Sequence, residues 1–151
     1  MNSKLPRINL SEKTRALESE IAQYWFENKT IGLKKTLFTR IVIPLKSFDS
    51  GSELDEQPVN TSFMIEWLQL PQESLKNAKI IQISSHSFPT MEASIYLGTA
   101  HNWCQIENLN IKRLSPNRFH IEGIIEIEFE REGFAQNERF EFATTASEKK
   151  P

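Results

Sequence analysis

The chain has 151 residues, 38% of them apolar and 25% charged, with only 5 glycines; this excludes a fibrous repeat or a disordered tract and fits one compact domain over residues 1–151. Its formal net charge of −2 supplies no general attraction for nucleic acid or anionic membrane, so neither is an expected partner. Cys104 is the only cysteine, which excludes an internal disulfide and favours a reducing compartment; with no signal-like start and no apolar run near ~18 residues, a cytoplasmic protein is expected.

Residues 1–10, ahead of the first regular pattern, and the polar tail 147–151 are predicted to be loosely ordered ends. Ser11 stands before Glu12 as an N-cap, and Leu17, Ile21 and Trp25, with Ala22 and Phe26, recur at three- and four-residue spacing. That spacing predicts an N-terminal helix, stopped by Asn28 and Gly32 in NKTIG.

From residue 33 the period changes to two. TLFTRIVIPL at 36–45 reads as a strand with Leu37, Ile41, Ile43 and Leu45 on one face, and Pro44 marks an edge or bulge. The polar stretch 47–60 is the longest predicted loop. A strand follows at 61–70 with Phe63, Ile65 and Trp67 on one side; PQESLKNA at 71–78 predicts a short helix, and 79–86 and 90–97 two more strands.

GTAHNWCQ at 98–105 reads as a turn-rich connection and 107–114 as a strand. SPN at 115–117 turns into a long strand over 118–132, GFAQN at 133–137 turns again, and 138–146 returns. Strands joined by such short turns form an antiparallel meander. The predicted class is α+β, the N-terminal helix packed on a curved, mainly antiparallel sheet of about seven strands; the alternative is a β-sandwich with one helix.

Charge is unevenly spread. Residues 1–46 carry 9 Lys or Arg against 4 Glu, whereas residues 119–141 carry 7 Glu against Arg131 and Arg139. Within IEGIIEIEFERE, Glu126, Glu128 and Glu130 alternate with Ile125, Ile127 and Phe129, as on the wet face of a strand, and Glu132 continues the row. Like charges this close repel; the row is neutral in effect when solvated and useful when a basic partner covers it. Trp103, alone among the strand aromatics in a polar turn-like setting, is the candidate anchor for such a partner.

Catalytic signatures are thin. His101 and Cys104, with His86 apart, make too sparse a set for a metal centre, and Cys104 beside His101 lacks the other parts of a nucleophilic site. No GxSxG, HExxH, GxxxxGK[ST] or GxGxxG pattern occurs, so no cofactor and no catalytic activity is expected.

ASIYLGTAHNWCQIENLNIKRL and IEIEFEREGFAQNERFEFATT, within residues 90–145, resemble bacterial immunity proteins of contact-dependent or secreted toxin systems. The resemblance implies inhibition of a cognate toxin by occlusion, the toxin often being a basic nuclease, and transfers no residue roles. Two alternatives stay open: a small-ligand-binding or enzymatic domain with a pocket between helix and sheet, using His86 or Glu66 as its polar group, and a structural or adaptor subunit assembling through an edge strand.

Overall fold

The structure, a computed structural model, describes residues 4–71 and 73–149 and is almost wholly β. Its strands are β1 (Ser19–Asn28), β2 (Leu33–Pro44), β3 (Ser62–Leu68), β4 (Ile80–Ile83), β5 (Glu92–Leu97), β6 (Ala100–Ser115), β7 (Arg118–Ile127) and β8 (Glu138–Lys149). They form one sheet in the order β4-β6-β5-β3-β2-β1-β8-β7, and β7 also pairs with β6, so seven strands close into a barrel. Strand β4 is the eighth, lying along the second half of β6 while β5 takes the first half of the same edge.

Each connection around the barrel reverses direction, and seven is odd. The first and last strands therefore run the same way, and β1 meets β8 as a short parallel pair from Ser19↔Ala146 to Ala22↔Lys149.

The predicted N-terminal helix is not there. Among the described residues helix is confined to single turns, α1 (Leu10–Lys13) and α2 (Ser74–Asn77), and two 3-10 turns, and residues 19–28 form a strand. The reason is arithmetic: a spacing of four is also a multiple of two, so Leu17, Ile21 and Trp25 fit a strand as well as a helix. The residues at odd offset, Ala22, Tyr24 and Phe26, complete a helical stripe only if the other face is wet, and here it is covered. Tyr24, Phe26 and Phe38 pack around Trp67 on the outside of the barrel, with ring centroids 5.1–6.2 Å from that indole. Asn28 and Gly32 do reverse the chain as read, but at the tip of a β-hairpin, with Gly32 at φ 73°. Neither a helix-covered open sheet nor a sandwich results.

Trp67 reaches that outer cluster through a bulge. Between Ile41↔Ile65 and Thr39↔Leu68, β3 spends one residue more than β2, and Trp67 adopts φ 57°. The alternation that predicted Trp67 beside Phe63 and Ile65 therefore breaks there, and Leu68 takes the inward position.

Inside, Ile21, Ile41, Ile65, Ile95, Ile121 and Ile125 are essentially fully buried, and the Phe63 and Phe140 rings meet at 5.4 Å. Among the described residues the barrel interior is filled by these side chains. Gly123 of β7 alternates with Ile121 and Ile125 in this inner row and is glycine because a side chain there has no room: a Cβ would lie 2.4 Å from the Asn108 carbonyl oxygen of β6.

One barrel end is closed by three segments that the sequence marked as loops or loose ends. Ile8 and Leu10 from the N-terminal segment, Phe48 and Val59 from the β2–β3 connection, and Phe129 and Ala135 between β7 and β8 are all buried. Of the ends expected to be loose, Ile8 and Leu10 are buried and residues 147–149 complete β8; residues 1–3, 150 and 151 lie outside the described residues. The carboxylate of Glu138, itself buried, makes the N-terminal segment stay. It accepts hydrogen bonds from the backbone N–H groups of Ile8, Asn9 and Leu10, each at 2.8 Å.

Glu138→Ala leaves three N–H groups without an acceptor and is expected to cost about 3 kcal/mol in urea unfolding. Limited proteolysis is expected to cut the variant within residues 4–13 while the barrel survives. Gly123→Ala, which must displace backbone atoms of β6, is expected to lower stability by more than about 3 kcal/mol in the same assay.

Candidate functional site

The tight turn between β5 and β6 determines which residues share the outer face on this side. Gly98 (φ 67°) and Thr99 (φ 59°) both lie in the left-handed region, the geometry of a two-residue hairpin loop. Phe134 packs where a Gly98 side chain would project. Buried Asn102 reinforces the turn, its Nδ2 donating to the carbonyls of Ile95, Leu97 and Ala100 at 2.9–3.2 Å. Residues 98–105, read from sequence as one connection, are therefore a two-residue turn followed by strand. Tyr96 then lies opposite His101, and Ser94 opposite Trp103.

Strand parity takes the outer face onward through Gln105 to Glu126 of β7 and Arg139 of β8, which are cross-strand neighbours in that order. Glu107 joins them by the same alternation along β6 that exposes His101, Trp103 and Gln105, and the bulge between Ile106 and Asn108 follows it, returning Leu109 to the inner face. The result is a surface with exposed aromatics at one side, Tyr96 and Trp103 (44% exposed), and carboxylates at the other. Tyr96 and Glu107 escape the sequence reading. The Gly98-Thr99 pair was the signal for both, since strand that starts straight after a two-residue turn puts Tyr96 opposite His101 and carries the outward alternation through Trp103 and Gln105 to Glu107.

The glutamate row is not a strand face throughout. β7 ends at Ile127, and residues 129–132 form a 3-10 turn that buries Phe129 fully. Glu126 alone stands on the strand. Glu128 precedes the turn, its N–H donating to the Trp103 carbonyl at 2.9 Å and its carboxylate accepting from Arg131 at 3.0 Å and Gln105 at 3.4 Å. Glu130 is tied to Asn137 in both directions: its N–H donates to Asn137 Oδ1 at 2.9 Å, and its Oε2 accepts from the Asn137 N–H at 3.1 Å. Glu132 is exposed on the turn. Period two fails here because Phe129 reaches the core by a turn rather than by the next pleat.

The arrangement still brings Glu126, Glu128, Glu130 and Trp103 into one neighbourhood. Arg139 is drawn to Glu107, Nη2 to Oε2 at 2.6 Å, and so is shared with Glu126 rather than devoted to it. Partial burial, then Glu107, and further Glu128 and Glu130, push the Glu126 carboxyl above the usual carboxylate range, and Arg139 offsets only part of this. Glu126 is thus a surface carboxylate with more like charge than opposite charge around it.

The other candidate groups are dispersed. His101 and Cys104 are three apart on one strand and so face opposite sides, His101 outward against Tyr96 at 5.1 Å and Cys104 into the core. Burial, with Glu128 adding to it, pushes the Cys104 thiol up, away from the thiolate that nucleophilic chemistry requires. His86 is exposed in a turn beyond β4, and Glu66 lies on the outer face 3.6 Å from Arg40. The N-terminal helix expected to wall a pocket beside either is replaced by strand β1. Among the described residues no three His, Cys, Asp or Glu side chains converge as a metal site, and no helix is long and apolar enough to cross a membrane.

The raised Glu126 pKa has a definite sign for stability. The folded state holds that proton more tightly than the unfolded chain, so ionised Glu126 costs stability at neutral pH, and the cost fades as pH falls through the folded pKa to below the unfolded one. Glu126→Gln is expected to raise the melting temperature at neutral pH, with the gain shrinking to nothing in the acid range, as followed by thermal unfolding across pH. No protein-family model, no curated protein and no solved structure matches this chain.

Proposed function

We propose that this protein is a non-catalytic binding module that docks a basic protein on the outer face of β5, β6 and β7. The observation that carries the reading is the pairing of an exposed indole, Trp103, with a carboxylate, Glu126, whose surroundings leave its charge undercompensated. A lysine or arginine from a partner relieves that repulsion on contact, and a large aromatic beside it supplies desolvated contact area. Glu107, Glu128, Glu130 and Glu132 enlarge the negative field that steers such a partner and disfavours phosphate backbones. The role suggested by the resemblance of residues 90–145, a cytoplasmic bacterial immunity protein occluding a basic toxin domain, is the specific form this binding takes. The adaptor alternative has less support, because barrel closure removes the long open edges it relies on.

Glu128 and Glu130 hold the turn together, so the clean probes are Trp103 and Glu126. A partner is first recovered on immobilised protein from the native host and identified by mass spectrometry. Trp103→Ala is then expected to weaken its binding at least tenfold, and Glu126→Lys to slow association several-fold, with an effect that shrinks at high salt. Failure to retain any stoichiometric protein, or unchanged affinity in both variants, overturns the reading.

A further inference from the structure

The barrel end remote from Trp103 carries a concavity of about 410 Å³ with two different walls. One is the inward side of the β1–β2 hairpin where it runs on past the last residue of β8, presenting Gln23, Trp25, Leu37 and Thr39. The other is the chain leaving β3, with Gln69, Leu70 and Pro71, and the start of α2.

Both walls are held from behind. The hairpin wall is backed on its outer side by Tyr24, Phe26 and Phe38 around the bulged Trp67. The α2 wall is pinned by Leu75, 3% exposed, and by Arg113 of β6, whose guanidinium donates to the Lys76 carbonyl. A cavity whose walls are fixed before a ligand arrives loses little freedom on binding. Its volume lies in the ordinary range for small-molecule sites, roughly 300–1,000 Å³.

The lining chemistry narrows the ligand. Trp25 is 62% exposed, far more than a tryptophan needed only for packing, and Lys35 caps its ring from the hairpin-tip side at 5.5 Å without lining the cavity. Trp25 lines the cavity together with Leu37 and Leu70, apolar surface against which a flat C–H face can rest. Among the described residues the uncharged polar groups are two primary amides, Gln23 and Gln69, and one hydroxyl, Thr39, each both donor and acceptor. The two charged residues, Glu73 and Lys76, cancel. An anion or cation finds no complementary field here. A wholly apolar molecule strips water from the amides and returns no hydrogen bond. A ring with a C–H face and a rim of hydroxyls satisfies both surfaces.

We infer that this end of the barrel is a binding site for a neutral carbohydrate of one or two rings, stacked on Trp25 and hydrogen-bonded at its rim by Gln23 and Gln69. It is independent of the protein-docking face, which lies at the opposite end.

The test uses the full chain labelled with nitrogen-15, with maltose, cellobiose and N-acetylglucosamine as probes at millimolar concentration. The three indole N–H signals are assigned with Trp25→Phe and Trp103→Phe. Saturable shifts of the Trp25 indole and of the Gln23 and Gln69 side-chain amides, with Trp103 unmoved, are expected for at least one sugar. Trp25→Ala, at an exposed position that leaves the fold intact, is expected to weaken that binding at least tenfold. No shift with any probe overturns the inference, as does equal movement of all three indoles or tighter binding of glucuronate than of the neutral sugars.

Discussion

The parallel seam between β1 and β8 is the constraint on which the molecule depends. An odd number of strands in an up-and-down path leaves the last strand no choice of direction, and only four residue pairs, Ser19↔Ala146 to Ala22↔Lys149, join it to the first. So short a ladder is reinforced by side chains from both banks. Thr144 Oγ1 donates to the Leu17 carbonyl at 3.0 Å, and Glu18 meets both Arg118 at 2.7 Å and the Ser147 hydroxyl at 3.3 Å. Glu138, at the other end of the same last strand, grips the backbone ahead of the first. Without these the inner rows of isoleucine and phenylalanine would line an open sheet with one face in water.

How far the sequence discloses this depends on what each residue's periodicity can distinguish. Ile41, Ile43, Phe63, Ile121 and Ile125 were legible because they recur at period two in segments rich in β-branched and aromatic residues. Residues 17–26 were misread because both faces of β1 are covered, one by the barrel core and one by Trp67, and a four-residue spacing belongs to both periods. Bulges were invisible for a different reason. At Trp67 and at Glu107 one extra residue reverses the face of the strand residues after it, and the register that forces it lies on a neighbouring strand. Closure itself was out of reach, since it rests on pairing between residues some 127 positions apart.

The candidate surface shows the same division. Glu126 lies on a strand as the alternation predicts, whereas Trp103, read from sequence as part of a turn, lies on the exposed side of β6. The extension of the row to Glu128, Glu130 and Glu132 assumed a strand that ends at Ile127. The side chain that ends it is Phe129, whose burial draws the backbone into a turn and turns two of the carboxylates to local hydrogen bonds. A solid barrel interior leaves only the outer faces and the ends for recognition, and the aromatic surface at one end and the concavity at the other divide them.

The seam also sets an order of events during folding. Hairpins β1–β2, β5–β6, β6–β7 and β7–β8 join neighbours in sequence and form early at small entropic cost. The barrel, however, cannot shut until residues 146–149 exist to meet residues 19–22, so nearly the whole chain must be made while β1 waits with an unpaired edge. Such long-range closure places the protein among the slower-folding topologies. In that interval the apolar inner face of the first hairpin is the segment most exposed to wrong partners, and Lys34 and Lys35 near its tip are the charges positioned to discourage them.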